Sequence, residues 1–492
     1  MGAFYFRVFL AFFDILFYTL YVQSYERGSK VSKLKHDISV RFAKLINIVM
    51  VTLPFIGCWF LYYDNKIENT NERYGDLIII ALFVLFYIIF ARVYDAFLIS
   101  LNRISEMIYS QALAILISDA IIFLIMWVIS EHFPNPLPGL ITLAIQLGLT
   151  IIWSVLAHKG YYKTFKAKKS LIIFGYRIGM ENLFREYGLE KKFDIQKSVH
   201  IDDCINNLSL LNGYEAVFIS GIKSHERNTV LKHCIKNDIC VYVLPKVGDL
   251  IMSSAKKMHM FHLPVLRVER YHPHPETRLI KRIFDILVSL IIIILTSPVM
   301  LVTALAIKFC DGGPIFYKQE RLTKDGKVFK IIKFRSMRTD AEKDGVARLS
   351  SGDKDNRITP VGKIIRKLRI DELPQMFNIL SGNMSLVGPR PERPEIAKQY
   401  EEFLPEFALR LQAKAGLTGY AQVYGKYNTT PYDKLQMDLM YISNPSLMED
   451  LRIIFATIKI LFLPDSTDGI AENQTTALQN NDKEEEKEEI FF

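Results

Sequence analysis

The sequence has few cysteines, and their spacing argues against two common kinds of stabilised protein. Its 492 residues contain five cysteines, at positions 58, 204, 234, 240 and 310, and none of them forms a C-x-x-C pair. Positions scattered in this way indicate neither a zinc site nor a disulfide framework. The soluble parts of the chain therefore suit a reducing compartment such as the cytosol.

The first residues lack the marks of a secretory signal peptide. Residues 6–22 are apolar, but no basic segment precedes them and no small-residue cleavage site follows. Asp14 lies in the middle of this run. The run either spans a membrane, lies at its interface or is an upstream start, and the sequence leaves these alternatives open.

Long apolar runs indicate a membrane protein. Hydrophobic residues make up 50% of the chain and the mean hydropathy is +0.15, which is too apolar for an ordinary soluble protein. Four runs, at residues 42–63, 77–98, 111–130 and 138–157, reach the roughly 20 residues that one bilayer crossing requires. We therefore predict a four-helix transmembrane region over residues 41–158, preceded by an N-terminal segment, residues 1–40, with one further candidate span.

The charges around these runs predict their orientation. The stretches before the first run and after the last are basic, whereas the loop from Asp64 to Asp76 is net acidic. The positive-inside rule places residues 23–41 and everything after residue 158 in the cytosol. Although the net charge is +9, the basic residues gather beside apolar segments, so we expect anionic lipid and nucleotide phosphate as partners and no nucleic acid.

Residues 168–267 have the texture of a soluble α/β domain. Strand-like runs at 171–174, 216–219 and 240–244 alternate with helical stretches, which predicts a small, doubly wound, Rossmann-like module. Gly175 and Gly179 do not complete the G-x-G-x-x-G fingerprint of dinucleotide-binding proteins. A structural or regulatory module is the default interpretation, with a bound ligand as the alternative.

The apolar segment from Ile283 to Phe309 is long enough to span, but both its flanks are basic. Pro298 removes a backbone hydrogen bond in the middle of the segment and clashes with the carbonyl of Ile294, which kinks a helix. A re-entrant helix over residues 280–309, bent at Ser297 and Pro298, accounts for both observations. An ordinary kinked span is the alternative.

Two further elements follow. Asp325-Gly326 predicts a hairpin, whose second strand would direct Lys333 and Arg335 to the same side. Ser446 and Glu449 predict a capping box at the start of an apolar-striped helix, which is either a core helix or an interfacial amphipathic helix. Residues 465–492 form an acidic tail of disordered type.

The most informative stretch places an acidic pair, Asp371-Glu372, between cationic residues. Pro374 suits the first turn of a helix that would end at Gly382, so the carboxylates would lie at a helix start. Helix-start N–H groups favour an ionised carboxylate and attract phosphate, and three arginines, Arg366, Arg369 and Arg390, can bind phosphate oxygens in bidentate fashion. Taken alone, an acidic pair at this position is usually only a helix cap.

The blocks that surround this pair resemble those of the bacterial polyprenyl-phosphate hexose-1-phosphate transferases, also called monotopic phosphoglycosyltransferases. The resemblance runs through Lys281-Arg282-Ile283-Phe284-Asp285, Ser297-Pro298, Gly312-Gly313-Pro314, Lys333-Phe334-Arg335-Ser336-Met337, Asp371-Glu372-Leu373-Pro374-Gln375, Gly388-Pro389-Arg390-Pro391 and Gly416-Leu417-Thr418-Gly419. Ala415 departs from the family pattern, in which many members have proline, and puts one turn geometry in doubt.

The resemblance implies a function and a site. Residues 273–464 would form an α+β catalytic domain that transfers a sugar 1-phosphate from a UDP-sugar to undecaprenyl phosphate and releases UMP, the initiating step of capsule, exopolysaccharide or O-antigen assembly. Asp371 would be the covalent nucleophile, Asp371 and Glu372 would bind Mg²⁺, and proton handling is the alternative role for Glu372. The resemblance also gives substrate phosphates to Arg366, Arg390, Lys333 and Arg335, with Asp438 as a weaker candidate that could instead tie a helix.

By the same resemblance, the chain would be a multi-pass protein of the bacterial inner membrane with its catalytic domain on the cytosolic face. A homodimer stays an open alternative. A lipid-sugar carrier would need intramembrane charge, which is sparse apart from Asp14, Arg92, Asp95, Asp119 and Asp285. A nucleotide-sugar dehydratase or epimerase would need a complete dinucleotide fingerprint and a nearby Tyr-x-x-x-Lys pair, and the Gly175 region has neither.

Overall fold

The computed structural model describes residues 29–64, 73–130, 132–177, 179–338, 357–425 and 429–461. The predicted run at residues 6–22 and the acidic tail 465–492 lie outside the described residues. The chain divides into two compact units, Met1–Val243 and Leu244–Phe492. The predicted domain boundaries at residues 158, 168, 267 and 273 stay predictions.

Long apolar helices form the first part of the N-terminal unit. They are α1 (Ser29–Cys58, continued by a π-helical turn, Trp59–Tyr63), α2 (Arg73–Val93), α3 (Ile104–Ser130) and α4 (Leu137–Thr164). Each contains a segment long and apolar enough to cross a membrane. The four predicted runs are therefore confirmed as helices, although α2 ends at Val93, five residues before the predicted end, where the chain turns and Asp95 takes a positive φ of 53°.

A parallel sheet follows in the same unit. Its strands are β1 (Lys168–Phe174), β2 (Phe193–His200), β3 (Ala216–Ser220) and β4 (Cys240–Val243), in the order β2-β1-β3-β4, with helices α5 (Met180–Glu186), α6 (Ile201–Asn206) and α7 (Ser224–Lys236) between them. Leu171 and Ile173 of β1 pack in one core with α6 and α7, whereas Ile172 packs in another with Phe184 of α5. The parallel α/β arrangement is confirmed, and the Rossmann-like assignment stays a prediction.

Gly175 has a packing role at the end of β1. A Cβ atom there would lie 2.1 Å from the carbonyl oxygen of Gly221. The amide of Tyr176 donates to that same oxygen at 3.1 Å. The glycine is thus required by the close approach of two strand ends, which accounts for it without a bound dinucleotide.

The C-terminal unit combines one very long helix with short elements. In chain order these are α8 (Val247–Ser253), β5 (Lys256–Met260), β6 (Leu263–Arg267), α9 (Pro275–Asp311), β7 (Phe316–Leu322), β8 (Val328–Phe334), α10 (Pro360–Lys367), α11 (Gln375–Leu380), β9 (Ser385–Val387), α12 (Pro394–Phe403), β10 (Gly416–Thr418), α13 (Tyr420–Val423), α14 (Pro431–Ser443) and α15 (Leu447–Leu461). Strands β7 and β8 pair antiparallel around Asp325-Gly326, as predicted, and β9 pairs parallel with β10.

Helix α9 is bound to this unit through charged residues near its start. Lys281 donates to Asp450 of α15 at 2.5 Å, and Arg282 donates to the carbonyls of Ile379 and Leu380, which end α11. The buried Asp285 accepts from the hydroxyl of Ser385 at 2.9 Å. These charges, which sequence reasoning treated as membrane flanks or intramembrane charge, are therefore used for docking.

The second half of α9 also packs on the C-terminal unit. Met300 and Ile307 are buried with Phe334 at the end of β8 and Ile365 of α10. Between the two contact regions, Leu290, Ile291, Ile294, Leu295 and Val299 are exposed. The middle of α9 thus has an apolar surface, whereas both halves contact the same compact unit.

Ser297 compensates locally for the proline that follows it. Pro298 has no N–H with which to bond the carbonyl of Ile294, the residue four positions earlier. The hydroxyl of Ser297 donates to that carbonyl at 2.8 Å. The serine-proline pair therefore keeps the backbone satisfied in a helix that would otherwise contain an unpaired carbonyl in an apolar setting.

Candidate active site

The acidic pair lies on a 3-10 turn, Ile370–Glu372, between α10 and α11. Arg369 directly before the turn takes a left-handed conformation, with φ of 56°, which reverses the chain. The predicted helix after Pro374 is confirmed as α11, with Gly382 beyond its end at φ of 86°. Its N-cap is Pro374, which makes no side-chain cap hydrogen bond. The acidic residues therefore do not cap α11, and with six residues this helix is too short to supply the expected macrodipole.

Glu372 is held by two cations. Lys333 Nζ donates to Glu372 Oε1 at 2.8 Å, and the Arg390 guanidinium approaches the same oxygen at 3.4 Å. Burial opposes the charged form, but Lys333, Arg390 and Arg369 together outweigh it and hold the pKa of Glu372 well below its usual range. A carboxylate with such a pKa handles protons poorly near neutral pH. Its geometry instead suits the positioning of two cations.

Asp371 has a different environment from its neighbour. Among the residues that the structure describes, its carboxylate has no hydrogen-bond partner. Burial, and then the charge of Glu372, raise the pKa of Asp371 to about 6, although Lys333, Arg366 and Arg369 oppose this shift. The nearby cations therefore favour the charged form, as expected, but burial and Glu372 outweigh them and the net shift of the pKa is upward. At neutral pH the carboxylate is still mostly ionised, because pH 7 lies above this pKa.

Lys333 is held in position by the helix that follows the acidic pair. The side-chain oxygen of Asn378 on α11 accepts from the amide of Ile332 at 2.9 Å, and its nitrogen donates to the carbonyl of Lys330 at 2.8 Å. This buried amide pairs with β8 as a neighbouring strand would. Sequence reasoning missed Asn378, and its place seven residues after Asp371 gave no signal.

Arg335 does not share the position of Lys333. Strand β8 ends at Phe334, and the guanidinium of Arg335 lies against Gly313, where an added Cβ would be 1.8 Å from one of its nitrogens. Arg335 is buried. The predicted strand alternation does not extend to Arg335, because β8 ends at Phe334. Lys333 contacts Glu372, whereas Arg335 lies against Gly313.

Arg390 lies on a loop that glycines allow to pack closely. A Cβ on Gly388 would lie 2.2 Å from the carbonyl of Lys414, and one on Gly416 would lie 2.2 Å from the amide of Gly388. The Gly388 amide in turn donates to the backbone carbonyl of Thr418 at 2.9 Å. The backbones of the motif blocks that contain Gly388 and Gly416 therefore pack against each other, and this contact places Arg390 beside Glu372.

A hydrogen bond explains why alanine, and not the proline of many family members, fits at position 415. The Ala415 amide donates to the hydroxyl of Thr323 at 3.1 Å, a bond that proline could not make. The turn before Gly416 is thus tied to the β7–β8 hairpin by a hydrogen bond that is specific to a residue with an N–H.

Asp438 has the helix-tying role that the sequence left open. Its carboxylate, 1% exposed, pairs with Arg410 at 2.7 Å. Arg410 also donates to the backbone carbonyl of Arg390 at 2.9 Å. Asp438 therefore lies behind the site and supports the Arg390 loop. Arg410, which supplies this link, was missed because a single arginine between hydrophobic residues has no motif.

The structure thus brings together Asp371, Glu372, Lys333, Arg366 and Arg390. Arg366 lies in the last turn of α10, and its charge lowers the pKa of Asp371. The other predicted residues lie elsewhere: Arg335 beside Gly313, Asp438 behind the Arg390 loop, and Ser297 and Pro298 within α9.

The acidic pair also fits a Mg²⁺ ion. In the described segments no group of three or more His, Cys, Asp or Glu residues could hold a metal. Mg²⁺ usually takes only one or two protein carboxylates and completes its shell with water and substrate phosphates. Asp371, whose oxygens have no partner in the described residues, together with the second oxygen of Glu372, meets that requirement.

Comparison with known proteins gives the same region. Residues 276–464 match the family model described as bacterial sugar transferase. A UDP-N-acetylgalactosamine-undecaprenyl-phosphate N-acetylgalactosaminephosphotransferase of Aeromonas hydrophila is 40% identical over 47% of this chain and 54% of its own length. This chain therefore spans about half of that relative.

Two shorter relatives are covered more fully. A UDP-glucose:undecaprenyl-phosphate glucose-1-phosphate transferase of Caulobacter vibrioides is 39% identical over 39% of this chain and 74% of its own length. An exopolysaccharide production protein PSS of Rhizobium leguminosarum bv. phaseoli is 41% identical over 36% of this chain and 93% of its own length. The matched region and the extent of coverage show that this membrane protein belongs to the bacterial sugar transferase family.

Proposed function

We propose that the protein transfers a sugar 1-phosphate from a UDP-sugar to undecaprenyl phosphate through a covalent intermediate on Asp371, and so initiates the assembly of a surface polysaccharide. The observation that carries this proposal is the difference between the two adjacent carboxylates. Glu372 is bound by Lys333 and Arg390, whereas the oxygens of Asp371 have no hydrogen-bond partner in the described residues. A carboxylate with available lone pairs, mostly ionised at pH 7, is suited to attack.

In the first step, an oxygen of Asp371 attacks the phosphorus that carries the sugar. A bond forms between the carboxylate and phosphorus, and the bond from this phosphorus to the bridging oxygen breaks. UMP departs with that oxygen and the electron pair. The product on the protein is an acyl phosphate, which divides one difficult displacement into two.

In the second step, a phosphate oxygen of undecaprenyl phosphate attacks the same phosphorus. The acyl–phosphorus bond breaks, Asp371 recovers its ionised carboxylate, and a diphosphate-linked lipid sugar leaves. Both nucleophiles are anions that approach an anionic centre, so cations must hold the equatorial oxygens. Lys333, Arg366, Arg369 and Arg390 are cations near the pair, and Glu372 contacts two of them, Lys333 and Arg390.

Mg²⁺ is part of this proposal. Asp371 and Glu372 would hold the ion together with substrate phosphates, and the bound ion would neutralise charge on the transferred group. The side chains of the protein bind and orient the phosphates in the same account.

The names of two relatives support this chemistry, since each contains both undecaprenyl phosphate and a UDP-linked sugar. Neither the sugar nor the polysaccharide follows from the geometry. A panel of UDP-sugars incubated with membranes that contain the protein should release UMP with one sugar far faster than with the others. UMP release from none of them, with undecaprenyl phosphate and Mg²⁺ present, would contradict the proposed activity.

We further propose that α9 enters and leaves the inner membrane on the cytosolic side, with α10, α11 and α15 at the interface. Both halves of α9 pack on one unit, while its middle exposes apolar side chains. A helix that crossed the bilayer would separate these two contact regions. Ile364 and Leu368, beside exposed Lys363 and Lys367, give an apolar surface with basic neighbours that suits anionic lipid.

Cysteine accessibility tests this topology. Single cysteines introduced at Lys324 and at Lys159 should both react with a membrane-impermeant thiol reagent only after the cells are opened. Replacement of Ser297 and Pro298 by leucine should straighten α9 and reduce UMP release. Labelling of the Lys324 position from outside intact cells would show that α9 spans the membrane.

A further inference from the structure

The helices of the N-terminal unit bury a row of polar side chains that transferase chemistry does not use. Gln146, Thr150 and Ser154 of α4 are spaced four residues apart and so lie on one face of that helix. Their exposed fractions are 0%, 1% and 0%. In a helix that is apolar enough to cross a bilayer, such burial must be compensated by hydrogen bonds.

The row lacks some of the partners that it needs. Gln146 Nε2 donates to the carbonyl of Val51 at 3.0 Å, which fixes the orientation of the amide. Within the described residues, Gln146 Oε1 and the hydroxyls of Thr150 and Ser154 have no partner. A hydroxyl in a helix usually bonds the carbonyl four residues earlier. Thr142 of the same helix does so with Pro138 at 2.9 Å, whereas Thr150 and Ser154 do not.

An acidic residue lies at one end of this row. The side chain of Gln146 is near enough to interact with the carboxylate of Asp119 on α3, and Asp119 Oδ2 is enclosed without a partner in the described part of the chain. Asp119 is close to the middle of α3, so it lies deep in a bundle of this thickness. From Gln146 to Ser154 the row extends roughly 12 Å along α4, at 1.5 Å per residue.

Among the described residues, no cation pairs with this carboxylate. From Leu137 to Ala157, α4 has no ionisable residue. On α1 the ionisable neighbours are Cys58, which is near Asp119, and Tyr63, whose hydroxyl donates to the carbonyl of Asn135 at 2.8 Å. Asp76 of α2 accepts from Trp59 at 2.9 Å. An ionised, unpaired carboxylate at this depth is costly, so a proton or a polar ligand must satisfy it.

We propose that Asp119 binds a proton within the bundle, and that Gln146, Thr150 and Ser154 line a file of water that exchanges this proton with the aqueous phase beyond the Thr164 end of α4. Hydroxyls suit such a file because each can donate and accept, and water needs several polar partners in an enclosed site. This site is separate from the transferase centre and does not depend on its chemistry.

A carbodiimide tests the proposal in membranes that contain the full-length protein. Dicyclohexylcarbodiimide adds to a protonated carboxyl group in apolar surroundings and leaves a stable N-acylurea, which mass spectrometry locates. We expect an adduct on Asp119 that declines with rising pH along a one-proton curve. Asp119→Asn should abolish this adduct and leave UMP release unchanged.

The water file is tested by a pair of variants. Thr150→Val combined with Ser154→Ala removes the two unpartnered hydroxyls and should raise the midpoint of labelling by one pH unit or more, because the carboxylate loses solvation. Thr142→Val, which removes a hydroxyl already bonded to its own helix, should leave the midpoint unchanged.

Three results would overturn the proposal. The first is the absence of an Asp119 adduct at every pH while other carboxyl groups of the protein are labelled. The second is an equal midpoint in the double variant and in Thr142→Val. The third is protection of Asp119 by NaCl but not by choline chloride at constant pH, which would assign the site to a sodium ion.

Discussion

Two buried polar regions, one in each unit, satisfy their side chains differently. In the C-terminal unit, Asp438 pairs with Arg410 and Asp450 pairs with Lys281. In the helices of the N-terminal unit, buried Gln146, Thr150 and Ser154 have atoms without partners among the described residues. A native protein seldom leaves buried polar atoms unsatisfied. The unpartnered atoms therefore indicate where a ligand or water binds.

The same contrast recurs on a smaller scale inside the candidate active site. The C-terminal unit satisfies Glu372 with two cations and leaves Asp371 without a partner in the described residues. A paired carboxylate positions its neighbours, and an unpaired one is available to bond a substrate. The comparison therefore predicts that Asp371 and Glu372 have different roles, one in bonding the substrate and the other in positioning cations.

The largest expected effect is on Asp371 itself. Asp371→Asn keeps the shape of the side chain and removes the attacking charge, so UMP release should fall by several orders of magnitude, equivalent to about 4 kcal/mol or more. Asp325→Asn, in an exposed turn where positive φ suits asparagine, is the matched control and should retain activity. Near-normal turnover by Asp371→Asn would contradict the proposal that the unpaired carboxylate of Asp371 attacks the substrate.

Breaking a buried pair should have the next largest effect. Asp438→Asn removes the nearer of the two carboxylates that pair with Arg410 and leaves only Glu392 at 3.7 Å. We expect the C-terminal unit to lose about 4 kcal/mol of stability, measured by thermal unfolding of the purified protein. Replacing both Asp438 and Arg410 by leucine should cost much less, since neither member of this pair is left buried alone. Equal losses in the single and double variants would show that stability depends on the ion pair itself and not on avoiding a buried charge without its partner.

A smaller effect concerns the start of the catalytic fragment. The sequence predicts that residues 273–463 carry the chemistry, but Val247 and Leu250 of α8 are buried in the C-terminal core. Loss of these two contacts costs about 3 kcal/mol. A fragment from Leu244 should therefore unfold at a higher temperature than one from Pro273, while both release UMP. A folded fragment from Pro273 without any UMP release would contradict the prediction for the chemistry.

The smallest effect is a displacement of the pH profile. Because the pKa of Asp371 is raised to about 6, the proposed nucleophile becomes protonated as the pH falls through that value, and single-turnover UMP release should decline there. Lys333 lowers this pKa more than Arg366 does. Lys333→Met should thus move the acidic midpoint to higher pH, and Arg366→Met should move it less. A shift to lower pH in either variant would disagree with the electrostatics of the site.

Local sequence patterns predicted much of the fold. The four apolar runs, the Asp325-Gly326 hairpin and α11 after Pro374 were all visible because each depends on neighbouring residues. Strand β2 was missed, since its edge position mixes apolar Phe193 and Val199 with exposed polar residues and leaves no apolar run.

The site was predictable only in part. Asp371, Glu372, Lys333, Arg366 and Arg390 could be assigned because motif blocks carry them. The supports could not: Asn378 acts through the backbone of β8, and Arg410 acts through the carbonyl of Arg390. Such contacts join residues that are far apart in sequence. The pKa of Asp371 also escaped prediction, because burial outweighs the cations that the sequence displays.

The most direct test of the central claim is the location of the covalent intermediate. The purified protein, incubated with the correct UDP-sugar and Mg²⁺ but without undecaprenyl phosphate, should accumulate a phosphosugar adduct, and peptide mass spectrometry should place it on Asp371. Addition of undecaprenyl phosphate should then discharge it. An adduct on Glu372 or on any other residue, or the absence of an adduct in a preparation that turns over normally, would contradict the account.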